Sequence, residues 1–300
     1  MRTDYLTLPS AARELVQLHE REAQAAYRAY LFGQFRIYRG GRQLVDESPR
    51  RTKALLILKW FLLNPGKPCS ADEFIELFWP DSPPQRALTN FHVTMHRLRR
   101  ILESDLTARQ ESTFIRRSPH NFYRFERSDR WWTDVGDAES LFDQAQASDA
   151  VDLRHRARFY YRRVAGYCAR GLLPEDDTTE ELLLPHRRRF REMHSQALTR
   201  LMQLSAESGE PEELLEYAYQ MLDIDRYNEA ATRIVVDALL QLDQPAQAHR
   251  RLQVFWEGVQ RELGVCPTGE LRELRARVRS ALSRGVRPGE SALSRAVTPA

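Results

Sequence analysis

Hydrophobic and polar positions follow two different periods along the chain, and the places where the period changes predict its elements. From Gln85 to Leu102 (QRALTNFHVTMHRLRRIL), Leu88, Phe91, Met95, Leu98 and Leu102 recur at three- and four-residue steps, as in a helix that buries one side. Its other face carries Asn90, His92, Thr94, His96, Arg97, Arg99 and Arg100. Upstream, residues 10–30 (SAARELVQLHEREAQAAYRAY) place Leu15, Leu18 and Tyr27 at helical spacing behind a Ser10 cap, which predicts an amphipathic helix before the first domain. Residues 31–45 alternate apolar and polar side chains around Gly40-Gly41, a glycine pair suited to a tight hairpin turn.

The period then returns to that of a helix. Residues 50–63 place Ala54, Leu55, Leu58, Phe61 and Leu62 on one face and stop at Asn64-Pro65-Gly66. Ser70 caps a short helix over 72–78 that Trp79-Pro80-Asp81 ends. Asp81 or Ser82, followed by Pro83-Pro84, opens the helix containing Gln85–Leu102. Residues 113–117 and 122–125 are two β runs around Ser118-Pro119-His120-Asn121, a hairpin. Sheet, three helices and hairpin, in that order, make a winged helix-turn-helix with an extra N-terminal sheet over residues 29–130; in such a fold the third helix enters the major groove and the hairpin follows the neighbouring backbone.

Beyond Trp131-Trp132 the strand period disappears. Residues 131–282 read as an all-α domain, and two helical pairs within it look repeated: Gly209-Glu210-Pro211 and Asp243-Gln244-Pro245 each separate two helices, and Pro211 and Pro245 stand at the period of tetratricopeptide (TPR) hairpins. The fold class expected is therefore mainly α with a small β component, a winged helix-turn-helix followed by a TPR-like helical-repeat domain. Residues 1–28 form an N-terminal helical extension, and 283–300, small, polar and proline-bearing, a disordered tail.

Composition adds one decisive point. The net charge of +3 is unremarkable, but residues 28–130 hold 19 Lys+Arg against 11 Asp+Glu, whereas 131–300 hold 23 against 27. Basicity concentrated in one third of a chain is the footprint expected for a polyanion. Cys69, Cys168 and Cys266 lie far apart without a CxxC pair, so neither a disulfide framework nor a thiolate zinc site is expected. No segment has the apolar run of a signal peptide or membrane span, which predicts a cytoplasmic protein that makes no membrane contact.

With these residues in view, the chain resembles a known family, the bacterial transcriptional activator domain regulators, best known from the SARP group. The resemblance covers residues 31–280. LFGQFRIYRGGRQL is similar to the family's opening strands, PRRTKALLILKWFLLNPGKPCSADEFIELFWPD to its first two helices, and ALTNFHVTMHRLRRIL to its recognition helix. WTDVGDAESLFDQA, YCARGLLPE, PHRRRFREMHSQALTRL and HRRLQVFWEGVQRELGVCPTGEL are similar to its second domain. The resemblance implies an OmpR-like winged helix joined to a TPR-like domain, binding double-stranded promoter DNA and recruiting RNA polymerase; residues 131–282 are expected to mediate polymerase contact or pairing with a second protomer on DNA. It places His92, Val93 and Arg97 as base readers and Asn90, Thr94, His96, Arg99 and the Trp79 indole at phosphates. Arg116, Arg117 and Arg124 fall on the wing as backbone or minor-groove contacts. Arg97 offers the planar fork that matches guanine, and a valine methyl suits thymine. The chain departs from the family pattern at Phe122, where a glycine commonly precedes the wing tyrosine, and at Leu184, commonly tryptophan.

Other chemistries are poorly served. His92 and His96 are spaced as in a zincin helix but lack the intervening glutamate and a third ligand. Asn64-Pro65-Gly66-Lys67-Pro68 lacks the first glycine and the hydroxyl of a phosphate-binding loop, and neither GxSxG nor GxGxxG occurs. No metal, cofactor or enzymatic activity is expected, nor the appended NTPase of larger relatives. The alternative reading is a TPR-type scaffold whose winged helix binds protein rather than DNA.

Overall fold

The computed structural model describes residues 20–44, 53–107, 110–176, 180–264 and 269–285. Residues 10–19 of the N-terminal helix and most of the C-terminal tail expected from the sequence lie outside these residues. Two compact units are present, residues 1–194 and 195–300.

The first unit opens with a four-stranded sheet of order β3-β2-β1-β7: β1 (Tyr27–Tyr30), β2 (Arg36–Arg39), β3 (Arg42–Gln43) and β7 (Trp131–Thr133). β1 and β2 are antiparallel, with Ala29 opposite Ile37, while β1 and β7 are parallel, with Tyr27 opposite Trp131. Gly40, at φ 57°, makes the expected turn between β2 and β3. Tyr27 is a correction, because helix stops at residue 24 and the tyrosine lies in a strand. Ala25, Tyr27, Ala29 and Leu31 are all buried at a period of two. The Tyr27 ring stacks on Trp131 at 4.7 Å, and its hydroxyl donates to the Leu102 carbonyl at 2.9 Å.

Three helices follow. α1 (Lys53–Leu63) buries Ala54, Ile57, Leu58, Phe61, Leu62 and Leu63; Leu55, assigned to the core from sequence, is only half-buried. α2 (Ala71–Phe78) starts at a capping box in which Ser70 Oγ accepts from the Glu73 N–H at 3.1 Å and the Glu73 carboxylate accepts from the Ser70 N–H at 2.6 Å. Hydrogen bonds from the Ser70 backbone N–H and from the Ser70 side chain hold the Glu73 carboxyl below the usual carboxylate range. Ser70→Ala should lower stability by about 1 kcal/mol, measurable as a reduced denaturation midpoint at unchanged slope. An unchanged midpoint would mean the box contributes nothing.

The third helix, α3 (Pro84–Leu102), begins at Pro83 without a side-chain cap, in place of the Asp81 or Ser82 cap expected. The wing consists of β5 (Ile115–Ser118) and β6 (Phe122–Phe125), and β4 (Cys69–Ser70) pairs with β6 to make a sheet of order β4-β6-β5. Aromatic side chains fill the space between helices and wing. Phe91 of α3 meets Tyr123 edge-on at 5.2 Å and lies parallel to Phe74 at 5.9 Å. Phe125 meets Trp131 at 5.1 Å. These contacts set the height of α3 against the wing.

The same unit continues into the helical segment. α4 (Asp134–Ala150) is capped by Thr133, whose Oγ1 accepts from the Gly136 N–H at 3.1 Å. α5 (Arg154–Cys168) packs against it, and α6 (Glu180–Ser208) follows. Asp134, with no exposed surface, accepts from the Leu31 N–H at 2.8 and 2.9 Å and the Phe32 N–H at 2.9 Å. Phe32 bridges Leu172, and the Gly33 N–H donates to the Gly171 carbonyl at 2.8 Å. From α1, Lys59 pairs with buried Asp176 at 2.5 Å, and the Asn64 amide lies 3.3 Å from His186 Nε2. The winged helix and the first helices after it thus pack together.

In the second unit, α7 (Pro211–Ile224), α8 (Glu229–Gln241) and α9 (Pro245–Gly258) follow the end of α6, and α10 (Gly269–Gly285) packs on α9. The repeat seen in the sequence extends to the hydrogen bonds. Gly209 and Asp243 have φ 70° and 53°; the Glu210 and Gln244 N–H groups donate to Ser205 and Leu239, each at 2.9 Å. Pro211 and Pro245 then start helices at their first turn. No described helix is long and apolar enough to cross a membrane.

Candidate nucleic-acid interface

α3 is held by Ala87, Phe91, Thr94, Met95, Leu98 and Leu102, all buried. Its opposite side exposes Gln85, Thr89, His92, Val93, His96, Arg97 and Arg100, which follow one another at four- and three-residue steps and so form a single stripe. Val93 is 46% exposed, too much for a packing residue. His92, His96, Arg97 and Arg100 make no hydrogen bond or ion pair among the described residues. A row of unengaged donors around one exposed methyl pair can reach both base edges and phosphates.

Three sequence expectations need correcting. Leu88, assigned to the buried stripe, is 41% exposed; Ala87 takes its place, because helix phase outweighs side-chain size. Thr94, assigned to the polar face, is buried on the line of Phe91 and Leu98. Trp79 is buried too, edge-on to Phe78 and Phe91, with the Lys53 ammonium 4.9 Å over its ring. Lys53 also donates to the Phe78 carbonyl, and desolvation holds its amine below the usual lysine range. Trp79 therefore fixes the turn before α3.

The remaining candidates surround the stripe, and all of them but Asn90 are engaged. Half-buried Arg99 donates to the Ile115 carbonyl at 3.4 Å and so ties α3 to the root of the wing; half-buried Asn90 flanks the stripe. On the wing, Arg116 and Arg124 share Glu126, at 3.4 and 2.5 Å, and Arg116 also meets Glu111 at 3.7 Å. Arg117 donates to Asn121 Oδ1. Such exposed pairs contribute at most about 1 kcal/mol and yield readily to a phosphate. The wing tip turns through His120 and Asn121, at φ 62° and 59°. Phe122, where a glycine was the family pattern, has φ −80°, ψ 140° and pairs with Ser118 and Ser70, so its extended backbone needs no glycine. Gln85, Arg86 and Thr89 were missed: the exposed face was read as starting at Asn90, although helix phase extends it to the first turn.

A family model described as bacterial transcriptional activator domain matches residues 133–279. Regulatory protein AfsR of Streptomyces griseus is 28% identical over 272 residues, 88% of this chain and 26% of that protein. Regulatory protein AfsR of Streptomyces coelicolor is 27% identical over 139 residues, 46% of this chain and 12% of that protein. The chain spans about a quarter of the length of the first and less of the second. In fold it is similar to Mycobacterium tuberculosis EmbR, solved in complex with a low-affinity phosphopeptide, with TM-score 0.67 and 17% identity over 86% of this chain and 69% of that one. Residues 133–279 thus match the bacterial transcriptional activator domain, and over most of its length the chain is similar to the AfsR regulatory proteins.

Proposed function

We propose that the protein is a sequence-specific DNA-binding regulator, an activator that docks α3 in the major groove of promoter DNA and contacts RNA polymerase or a second protomer through its helical segment. The observation that carries this reading is the stripe His92, Val93, His96, Arg97 and Arg100, exposed and without a side-chain hydrogen bond or ion pair among the described residues, on the helix that a winged helix-turn-helix inserts. In this reading His92, Val93 and Arg97 meet base edges. Asn90, His96, Arg99 and the wing arginines Arg116, Arg117 and Arg124 lie at the phosphates, while buried Trp79 and Thr94 support the helix from behind. Residues 29–130 supply DNA contact and residues 131–282 the regulatory surface.

Mobility-shift titration against the upstream region of its own gene, at two salt concentrations, tests the reading. The shift should weaken steeply with salt, because each neutralised phosphate releases condensed counterions; four to six contacts predict a loss of roughly two orders of magnitude or more between 50 and 200 mM salt. Absence of a shift at low salt would leave the scaffold reading, in which the winged helix binds protein.

A further inference from the structure

The second unit carries a groove that the DNA-binding reading does not use. Its floor is Val235 and Leu239 of α8, both buried, and its walls are Tyr219 of α7 and Gln247, Arg250, Arg251 and Val254 of α9. Tyr219 and Val254 are 45% and 66% exposed, so large apolar surface stands open on both walls. Four arginines of the unit are engaged elsewhere. Arg226 pairs with Glu262, Arg233 with Glu270 and Arg277 with Asp237, and Arg275 lies over Trp256. Arg250 and Arg251 make no ion pair or hydrogen bond among the described residues, and Arg251 Nε is buried without an acceptor.

We propose that this groove is a docking site for an acidic, amphipathic segment of a partner protein, one that sets an apolar side chain between Tyr219 and Val254 and carboxylates on Arg250 and Arg251. Charge complementarity selects the occupant: two adjacent guanidiniums, one with an orphaned donor, call for carboxylates in bidentate geometry. The open tyrosine and valine call for an apolar anchor beside them, the combination that dominates protein hot spots. Nucleic acid fits poorly. A phosphate backbone would leave the apolar walls unmatched, and residues 195–300, with 13 Lys+Arg against 15 Asp+Glu, lack a polyanion footprint. The site is independent of the winged helix, so it stands or falls apart from the DNA-binding reading.

The test uses the isotope-labelled full chain and a fluorescent helical peptide that alternates phenylalanine and leucine anchors with glutamates, beside the same peptide with glutamine for glutamate. The acidic peptide should shift the resonances of Tyr219, Val235, Leu239 and Val254, and the glutamine peptide should bind roughly tenfold more weakly. Arg250→Ser with Arg251→Ser should erase that difference. Val254→Ser, which leaves both charges, should weaken the two peptides alike. All substituted side chains are at least partly exposed, and unchanged helical dichroism checks that the variants remain folded. No binding of the acidic peptide, equal binding of the two peptides by the natural chain, shifts confined to another surface, or displacement from these residues by duplex DNA would each overturn the proposal.

Discussion

Asp134→Ala should destabilise the protein by roughly 2–6 kcal/mol, the largest loss expected from any single change at the junction of winged helix and activator helices. Leu31 and Phe32 are almost wholly buried, and both of their N–H groups have the Asp134 carboxylate as acceptor. Alanine orphans both, and each buried unpaired donor costs about 1–3 kcal/mol. Asparagine keeps one acceptor oxygen without a buried charge and should cost far less. Desolvation raises the Asp134 carboxyl from its ordinary 3.8 to about 6, against the opposing pull of the two N–H groups and Arg170. A carboxyl whose folded pKa lies above its unfolded one binds its proton more tightly in the fold. Its contribution is therefore complete below about pH 4 and is lost as pH rises through about 6, a change of up to about 3 kcal/mol. Denaturant titrations from pH 4 to 7 should show the natural chain losing stability relative to Asp134→Asn over that interval. Parallel curves would show that Asp134 does not titrate as assigned.

Asp134 also marks where local pattern stops being informative. The cap of α2 was legible because Ser70 and Glu73 lie within one turn and satisfy each other. The repeated turns at Gly209 and Asp243 were legible for the same reason, each being completed by a backbone carbonyl four or five residues earlier. β1 was not. Its four residues are too few to establish alternation, and they are fixed between β2 and Trp131–Thr133, the latter about a hundred residues away. β4 has two residues and exists only because β6 returns beside it.

Within the candidate interface, sequence showed which helix to examine but not how each side chain is engaged. The basic, aromatic-backed helix followed by a hairpin was readable from period and charge alone. Helix phase would have placed Ala87 and Thr94 inside; side-chain size and polarity pointed to Leu88 and to an exposed threonine instead. No local signal shows that Trp79 lies under Lys53, that Arg99 ties down Ile115, or that Glu126 holds Arg116 as well as its neighbour Arg124, because each of these partners comes from a separate element.

Those differences in engagement separate the arginines under the proposed function, and Arg97→Ala should have the larger and more selective effect. Arg97 is exposed, without a partner among the described residues, and one turn beyond Val93 on the stripe. A guanidinium held there can take guanine O6 and N7 together, a contact worth ~1–3 kcal/mol of discrimination. Its loss should weaken the preferred duplex about five- to hundredfold, leave random duplex nearly unchanged, and abolish the penalty for replacing one guanine of the site. Arg99 is half-buried against the Ile115 carbonyl, so Arg99→Ala should disturb the seating of the wing and weaken all duplexes alike. The measurement is mobility-shift titration of both variants over a panel of single-base substitutions. Identical profiles for the two would remove the basis for assigning base readout to one and positioning to the other, whereas a lost guanine preference in Arg97→Ala alone ties the specificity of the interface to the free end of the stripe.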